Sequence, residues 1–202
     1  MSLQAFEGGF ADPVFQSQAA FRTVMDAMAR PGIVRALDAA IVPPAAINAA
    51  AGAVLLTLAD ADTPVWLDAK AAADPSLATW IAFHTGAPVT EDRTAADFAV
   101  IADPAQPLDL SAFASGSQEY PDRSTTLILC VAGFAGPEQL ELEGPGIRGI
   151  SGFAPSHLPR HFVEQWQANR TRFPRGVDIM FAAPGAVAAM PRTASIRIAA
   201  RS

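Results

Sequence analysis

The stretch Thr125–Ala132 (Thr-Thr-Leu-Ile-Leu-Cys-Val-Ala) carries no charge and no polar alternation. An apolar run of this length reads as a core strand, which needs other elements packed over its sheet. Segments that fit helices and strands alternate around it. Asp12-Pro13 is an N-cap followed by proline in the first turn, opening a helix to about Arg30 with Val14, Phe21, Val24, Met25 and Met28 on one face. Pro31-Gly32 ends it, and Ile33–Leu37 is a short strand. Pro44 to Ala59 reads as a second helix and Pro64–Leu67 as a strand. Asp74-Pro75 repeats the cap-then-proline device for a third helix through Leu77, Trp80, Ile81 and Phe83, stopped by Gly86. Phe98–Ala102 is a buried strand, Pro107–Ala114 a short helix, and Gln139–Glu143 a half-buried strand. Ser156 caps a helix to about Arg172. Val177–Ala182, Val187–Met190 and Ser195–Ala200 are three late strands. The alternation predicts an α/β fold, and the late run of strands predicts a mixed sheet flanked by helices.

The 202 residues fit a single domain, 1–202, with half of them hydrophobic and 17 % charged. Lys+Arg 14 against Asp+Glu 20 leaves a net charge of -6, and no basic run exists, so nucleic acid is excluded as the main partner. The uncharged stretch Ala39–Ala59 is broken by Pro43-Pro44 and Asn48. A helix after the prolines would span roughly 24 Å, short of the ~30 Å hydrocarbon core. No basic-then-apolar leader stands in Met1–Asp12, so a soluble, cytoplasmic chain is expected. Cys130, the single cysteine, excludes an internal disulfide and a thiolate metal cluster and is expected in the core.

Routes to catalysis are thin. Gly144-Pro145-Gly146-Ile147-Arg148-Gly149 matches the spacing GxGxxG but runs into loop, not into the helix that a dinucleotide site needs, so it reads as a turn. Asp60-Ala61-Asp62-Thr63-Pro64 offers oxygen ligands but lacks a closing set, and turn formers before proline explain it. His157 and His161 have no third ligand, and Pro159 lies between them. No GxSxG elbow exists. Schiff-base chemistry would need Lys70, the sole lysine, in the Ala-rich stretch Ala69–Ala73. No catalytic residue, metal or cofactor is expected.

What remains is an arginine pattern. Of the 14 basic residues 13 are arginine, and Arg30, Arg175 and Arg192 each abut a turn: Arg30-Pro31-Gly32, Pro174-Arg175-Gly176 and Pro191-Arg192-Thr193. A turn arginine facing a cleft suits bidentate binding of phosphate or phosphonate; it equally suits pinning a loop or a partner chain.

Ordered stretches across nearly the whole chain resemble one family. They are Phe21-Arg22 through Met28-Ala29-Arg30-Pro31-Gly32, Leu55-Leu56-Thr57-Leu58-Ala59-Asp60 through Asp62-Thr63-Pro64-Val65-Trp66-Leu67, and Phe83-His84-Thr85-Gly86-Ala87-Pro88. Tyr120-Pro121-Asp122 leads into Thr125-Thr126-Leu127-Ile128-Leu129, followed by Leu142-Glu143-Gly144-Pro145-Gly146-Ile147, Phe173-Pro174-Arg175-Gly176-Val177-Asp178 and Pro191-Arg192-Thr193. The set resembles PhnH, the H subunit of the bacterial carbon–phosphorus lyase system for phosphonate utilisation.

The resemblance implies a fold like that of the pyridoxal-phosphate-dependent transferases without the cofactor or its lysine, and Lys70 lies outside every matched stretch. It implies a homodimer when isolated, and a complex with the G, I and J subunits in which I is the direct contact. It further implies service in the step that joins a phosphonate to the ribose of ATP with loss of adenine. The absence of a P-loop argues for a supporting, non-catalytic role in that step. A substrate pocket for a phosphate or phosphonate would draw on Arg30, Arg175 and Arg192, with His84 and Asp178 as orienting groups. The alternative is an independent small transferase or lyase acting on a phosphorylated compound.

Overall fold

The structure, a computed structural model, describes residues 6–200. The first five positions of the Met1–Asp12 start, and that part of the leader reading, lie outside the described residues. Helix α1 (Pro13–Ala29) begins where the Asp12 carboxylate accepts the Phe15 N–H. After β1 (Arg35–Ala36), Asn48 caps α2 (Ala49–Leu58) by accepting the Ala51 N–H at 2.9 Å. That cap, downstream of Pro43-Pro44, starts α2 later than the expected Pro44. Then come β2 (Val65–Leu67), α3 (Ala69–Ala72), α4 (Pro75–Thr85), β3 (Val89–Thr90), β4 (Phe98–Ile101) and β5 (Thr126–Cys130). Gly86 closes α4 in the left-handed region at φ 78°, its N–H donating to Ala82 O at 3.0 Å.

The second half contributes β6 (Leu140–Glu143), β7 (Ser151–Phe153), α5 (Phe162–Arg170), β8 (Asp178–Ala183), β9 (Ala186–Met190) and β10 (Ser195–Ile198). The helix expected from Ser156 starts only at Phe162. His157 and His161 both hold positive φ, and the Ser156 hydroxyl is engaged with the backbone of Gly133 instead. The short helix expected over Pro107–Ala114 is a single 3-10 turn, Leu110–Ala112, capped by Asp109. Strands β3 and β7 and helix α3 had no distinct sequence signal, because each is too short to show a period.

Seven strands form one sheet in the order β1-β9-β8-β5-β4-β2-β3. From β3 to β8 every neighbouring pair is parallel, and β9 is antiparallel to both β8 and β1. The expected α/β class with a mixed sheet is the observed one. Three of the later strands stand apart from it: β10 pairs with β6, and β6 with β7, in a separate antiparallel sheet.

The sheet is covered on both faces. Val100, Ile128, Met180 and Val187 point to one side and meet α1, α2 and α4; Leu127, Leu129, Ile179 and Phe181 point to the other and meet α5 and the small sheet. Successive side chains of β5 thus enter different cores, which is why its sequence shows no polar alternation. Small residues let the helices sit close. Ala50, Ala51, Ala53, Val54 and Leu55 of α2 are fully buried, and a Cβ on Gly52 would lie 3.1 Å from Ile41.

The same economy turns α1 part of the way from its expected face: Val24 and Met28 lie inward as expected, but small residues take the rest of the stripe. Its buried stripe is Ala20, Val24 and Ala27, with Met28 packed alongside. Val14, Phe21 and Met25, expected inside, stand in solvent together with Phe15. Alanine faces inward because the helix lies close against α2 and β9, where a phenylalanine ring would not fit. Among the described residues no helix is long and apolar enough to cross a membrane.

Two substitutions test this arrangement. Leu127→Ala, at a fully buried site, lowers the unfolding free energy by about 3 kcal/mol in a urea titration. Val14→Ala, on the outward side of α1, changes it by less than about 0.5 kcal/mol.

Candidate functional site

At the amino-terminal edge of β8 the chain gathers three of its turns. Asp178 opens β8, and Arg192 follows β9, whose antiparallel course returns it to the same edge. Arg192 Nε donates to Asp178 at 3.1 Å, and its backbone N–H donates to Asp178 Oδ1 at 2.7 Å. Nη1 donates to Pro121 O at 2.6 Å and to Pro174 O at 3.4 Å; Nη2 donates to Ser124 Oγ and to Asp178 Oδ2. All five N–H donors of the guanidinium are therefore engaged by the protein. Both side chains are 13 % exposed, so one ion pair ties the loops ending in Pro121, Ser124 and Pro174 to the sheet.

The Gly144–Gly149 segment joins the antiparallel strands β6 and β7, with no helix behind it, and acts as a spacer at this edge. A Cβ on Gly146 (φ 82°) would lie 2.1 Å from Ala29 O, so the turn presses on the Arg30-Pro31-Gly32 corner. Gly144 presses likewise on Thr193. The turns bearing Arg30, Arg175 and Arg192 thus lie around one edge, although their side chains diverge. Arg30 is exposed and pairs with Asp26, which also meets Arg35. Arg175 is exposed in its turn. Arg192 also forms part of a cavity of about 220 Å³ with Pro145, Arg170, Phe173 and Thr193.

His84 lies apart from them. It packs against Trp80 and Phe83 in the last turn of α4, each ring centre 5.0 Å away, and its Nε2 is 3.4 Å from Glu7 O. Trp80 Nε1 donates to the same carbonyl at 3.0 Å. This pair fastens the segment that leads into α1. The structure thus brings Asp178 and Arg192 together, pairs Arg30 with Asp26, leaves Arg175 exposed in its turn and packs His84 elsewhere against Trp80 and Phe83.

The other sequence candidates resolve into local structure. Asp60 Oδ1 accepts the Asp62 N–H at 3.0 Å and the Thr63 hydroxyl at 3.2 Å, a self-contained turn. Among the described residues no group of three His, Cys, Asp or Glu side chains is placed to hold a metal. Lys70 lies on α3, its Nζ donating to Ala102 O at 3.1 Å. Cys130 ends β5 partly buried, and burial pushes its thiol up to about 11.

A larger cleft lies at the opposite edge of the sheet, beyond the carboxyl ends of β2 and β4. It is lined by Trp66, Asp68, Lys70, Arg93, Asp103 and Leu108 among others. Arg93 carried no signal in the sequence, because nothing in the order of residues shows that its side chain lies over Trp66.

The tie and the thiol give two tests. Asp178→Ala strands a largely buried guanidinium and costs about 3 kcal/mol by calorimetry, more than Asp26→Ala beside the exposed Arg30. Cys130 titrates higher when folded than its ordinary value of 9.0, so its contribution is intact below about pH 9 and fades as pH rises through about 11. At pH 8 an aromatic disulfide reagent modifies it about 100-fold more slowly in the folded protein than in urea.

Comparison with known proteins finds one family along nearly the whole chain. The family model described as bacterial phosphonate metabolism protein (PhnH) matches residues 8–197. A protein of Rhizobium meliloti (strain 1021), named alpha-D-ribose 1-methylphosphonate 5-triphosphate synthase subunit PhnH, is 48 % identical over 193 residues, covering 96 % of each chain. A putative C-P lyase subunit protein HtxG of Stutzerimonas stutzeri is 33 % identical over 88 residues, 41 % of this chain and 43 % of its own. With the family model spanning both cores and the arginine-tied edge between them, this chain belongs to the bacterial phosphonate metabolism (PhnH) family.

Proposed function

We propose that this chain is a subunit of the assembly that makes alpha-D-ribose 1-methylphosphonate 5-triphosphate, the product in the name of its Rhizobium meliloti relative. Its role there is supporting and non-catalytic. Its partners are the G, I and J subunits of the carbon–phosphorus lyase complex, with I the direct contact, and it pairs with itself when isolated. It works in the cytoplasm, as one domain with a fold like that of the pyridoxal-phosphate-dependent transferases, without their cofactor. The mixed seven-stranded sheet between two layers supports that likeness.

The observation that carries the subunit reading is the outward side of α1. Val14 is 63 % exposed and Phe15 72 %, with Phe21 and Met25 about half exposed on the same helix. The segment before α1 runs past more exposed apolar groups: Phe6 stacks edge-on with Phe83, and Gly8 lies against Val42. Single exposed apolar side chains are ordinary, but four large ones along one helix suit an interaction surface. A supporting role also agrees with Arg192, whose donors are spent on the chain's own loops. For a substrate handle at this edge the candidates are Arg30 and Arg175, both exposed, with Asp178 orienting Arg192 and His84 holding the segment before α1.

Co-expression with the G, I and J subunits, with the tag on this chain alone, tests the reading by native mass spectrometry. A stable hetero-oligomer is the expected result. Phe21→Asp with Met25→Asp weakens association with I at least about 10-fold while leaving the melting temperature within a few degrees. A homodimer that ignores all three subunits overturns the reading, and turnover of nucleotide and phosphonate by the isolated chain would make it an enzyme in its own right.

A further inference from the structure

Parallel sheets hold their ligands in the crevice beyond the carboxyl ends of the strands. In this chain β2 ends at Leu67 and β4 at Ile101, and the segments that follow them line a cleft of about 740 Å³. That volume is typical of small-molecule sites, which span ~300–1,000 Å³. One wall is aromatic and apolar, formed by Trp66, Pro107 and Leu108, and two cations reach into it, Arg93 and Lys70.

The state of those cations is the informative part. The Arg93 guanidinium carbon lies 4.6 Å from the Trp66 ring centre and 5.7 Å from that of Phe113, two rings that meet edge to face at 5.4 Å. Stacking fixes the plane of the guanidinium and leaves its edge free. Among the described residues no hydrogen bond or ion pair engages its donors, in contrast to Arg192, where all five are used. Lys70 spends one N–H on Ala102 O and keeps the others.

The carboxylates of the same cleft are occupied by its frame. Asp68 accepts the N–H groups of Ala71 at 2.8 Å and Asp103 at 3.0 Å. Asp103 accepts the Ala105 N–H at 3.2 Å and the Gln106 amide at 3.1 Å. Both carboxylates keep their charge, but their oxygens are turned to the frame, and among the described residues the cationic N–H groups left without partners in the cleft are those of Arg93 and Lys70, beside an aromatic platform. A planar fork and a point charge together suit an anion with several oxygens on one centre, and the platform suits an attached ring.

We propose that this cleft binds an organic phosphate, its oxygens on Arg93 and Lys70 and its apolar portion along Trp66, Pro107 and Leu108. The proposal rests on the subunit reading only in the choice of a nucleoside triphosphate as the probe. Trp66 is half-buried, whereas Trp80 and Trp166 are fully buried, so a change in tryptophan emission on binding reports this cleft.

The isolated chain is titrated with ATP in chelator at constant ionic strength, by emission and by calorimetry. Saturable binding with a Kd below about 1 mM is expected, weakened at least about 10-fold by Arg93→Ala and by Lys70→Ala, both at exposed sites. Arg123→Ala, which removes an arginine stacked 4.3 Å over Tyr120 elsewhere, leaves binding unchanged. Trp66→Phe removes the emission change but keeps the heat. No saturation up to about 10 mM, or an equal loss in Arg123→Ala, overturns the proposal. Either result leaves co-purification with the other subunits as it was, so this proposal and the subunit reading fail separately.

Discussion

Burial of β5 on both of its faces is the constraint from which the rest of the architecture follows. Leu127 and Leu129 enter one core and Ile128 the other, all fully buried. Each face of such a strand needs a covering layer, and the chain builds the two layers differently. On one side lie α1, α2 and α4; on the other lie α5 and the small antiparallel sheet. The middle of the large sheet is thereby closed to ligands and partners, and its chemistry is confined to the two strand edges and the outer surfaces of the helices.

The two edges use arginine in opposite ways. At the amino-terminal edge of β8, Arg192 is consumed: Asp178, Ser124 and the carbonyls of Pro121 and Pro174 take every donor, and the result is a mechanical tie between loops. At the carboxyl edge of β2 and β4, Arg93 is held by the faces of rings and keeps its donors. A buried pair of the first kind contributes through the cost of stranding either partner. A stacked arginine of the second kind is oriented without being spent.

The outer surface of the helical layer has its own logic. Close packing of α1 against α2 and the sheet is possible because alanine occupies the contact, and this excludes several large apolar side chains of α1 from the interior. Those side chains then face outward, which fits a chain that works within an assembly. One packing decision thus determines both the thin interior layer and the sticky exterior one.

Much of this was legible in the order of residues. The α/β class, the apolar strand at Thr126–Cys130, the capped starts of α1 and α4 and the glycine stop at Gly86 rest on local chemistry: a carboxylate beside a free N–H, a proline where no N–H is needed, a residue without Cβ at positive φ. The turn character of Gly144–Gly149 and the family resemblance were readable for the same reason, since each depends on what stands next to what. The buried side of α1 was readable only in part: Val24 and Met28 face inward as expected, but Ala20 takes the place expected of Phe21 because α2 and β9 come so near. The assignment of β10 and β6 to a second sheet, the pairing of Asp178 with Arg192 and the place of Arg93 over Trp66 were not readable. These are contacts between residues distant in sequence, and only the packing of the sheet decides which turns share an edge.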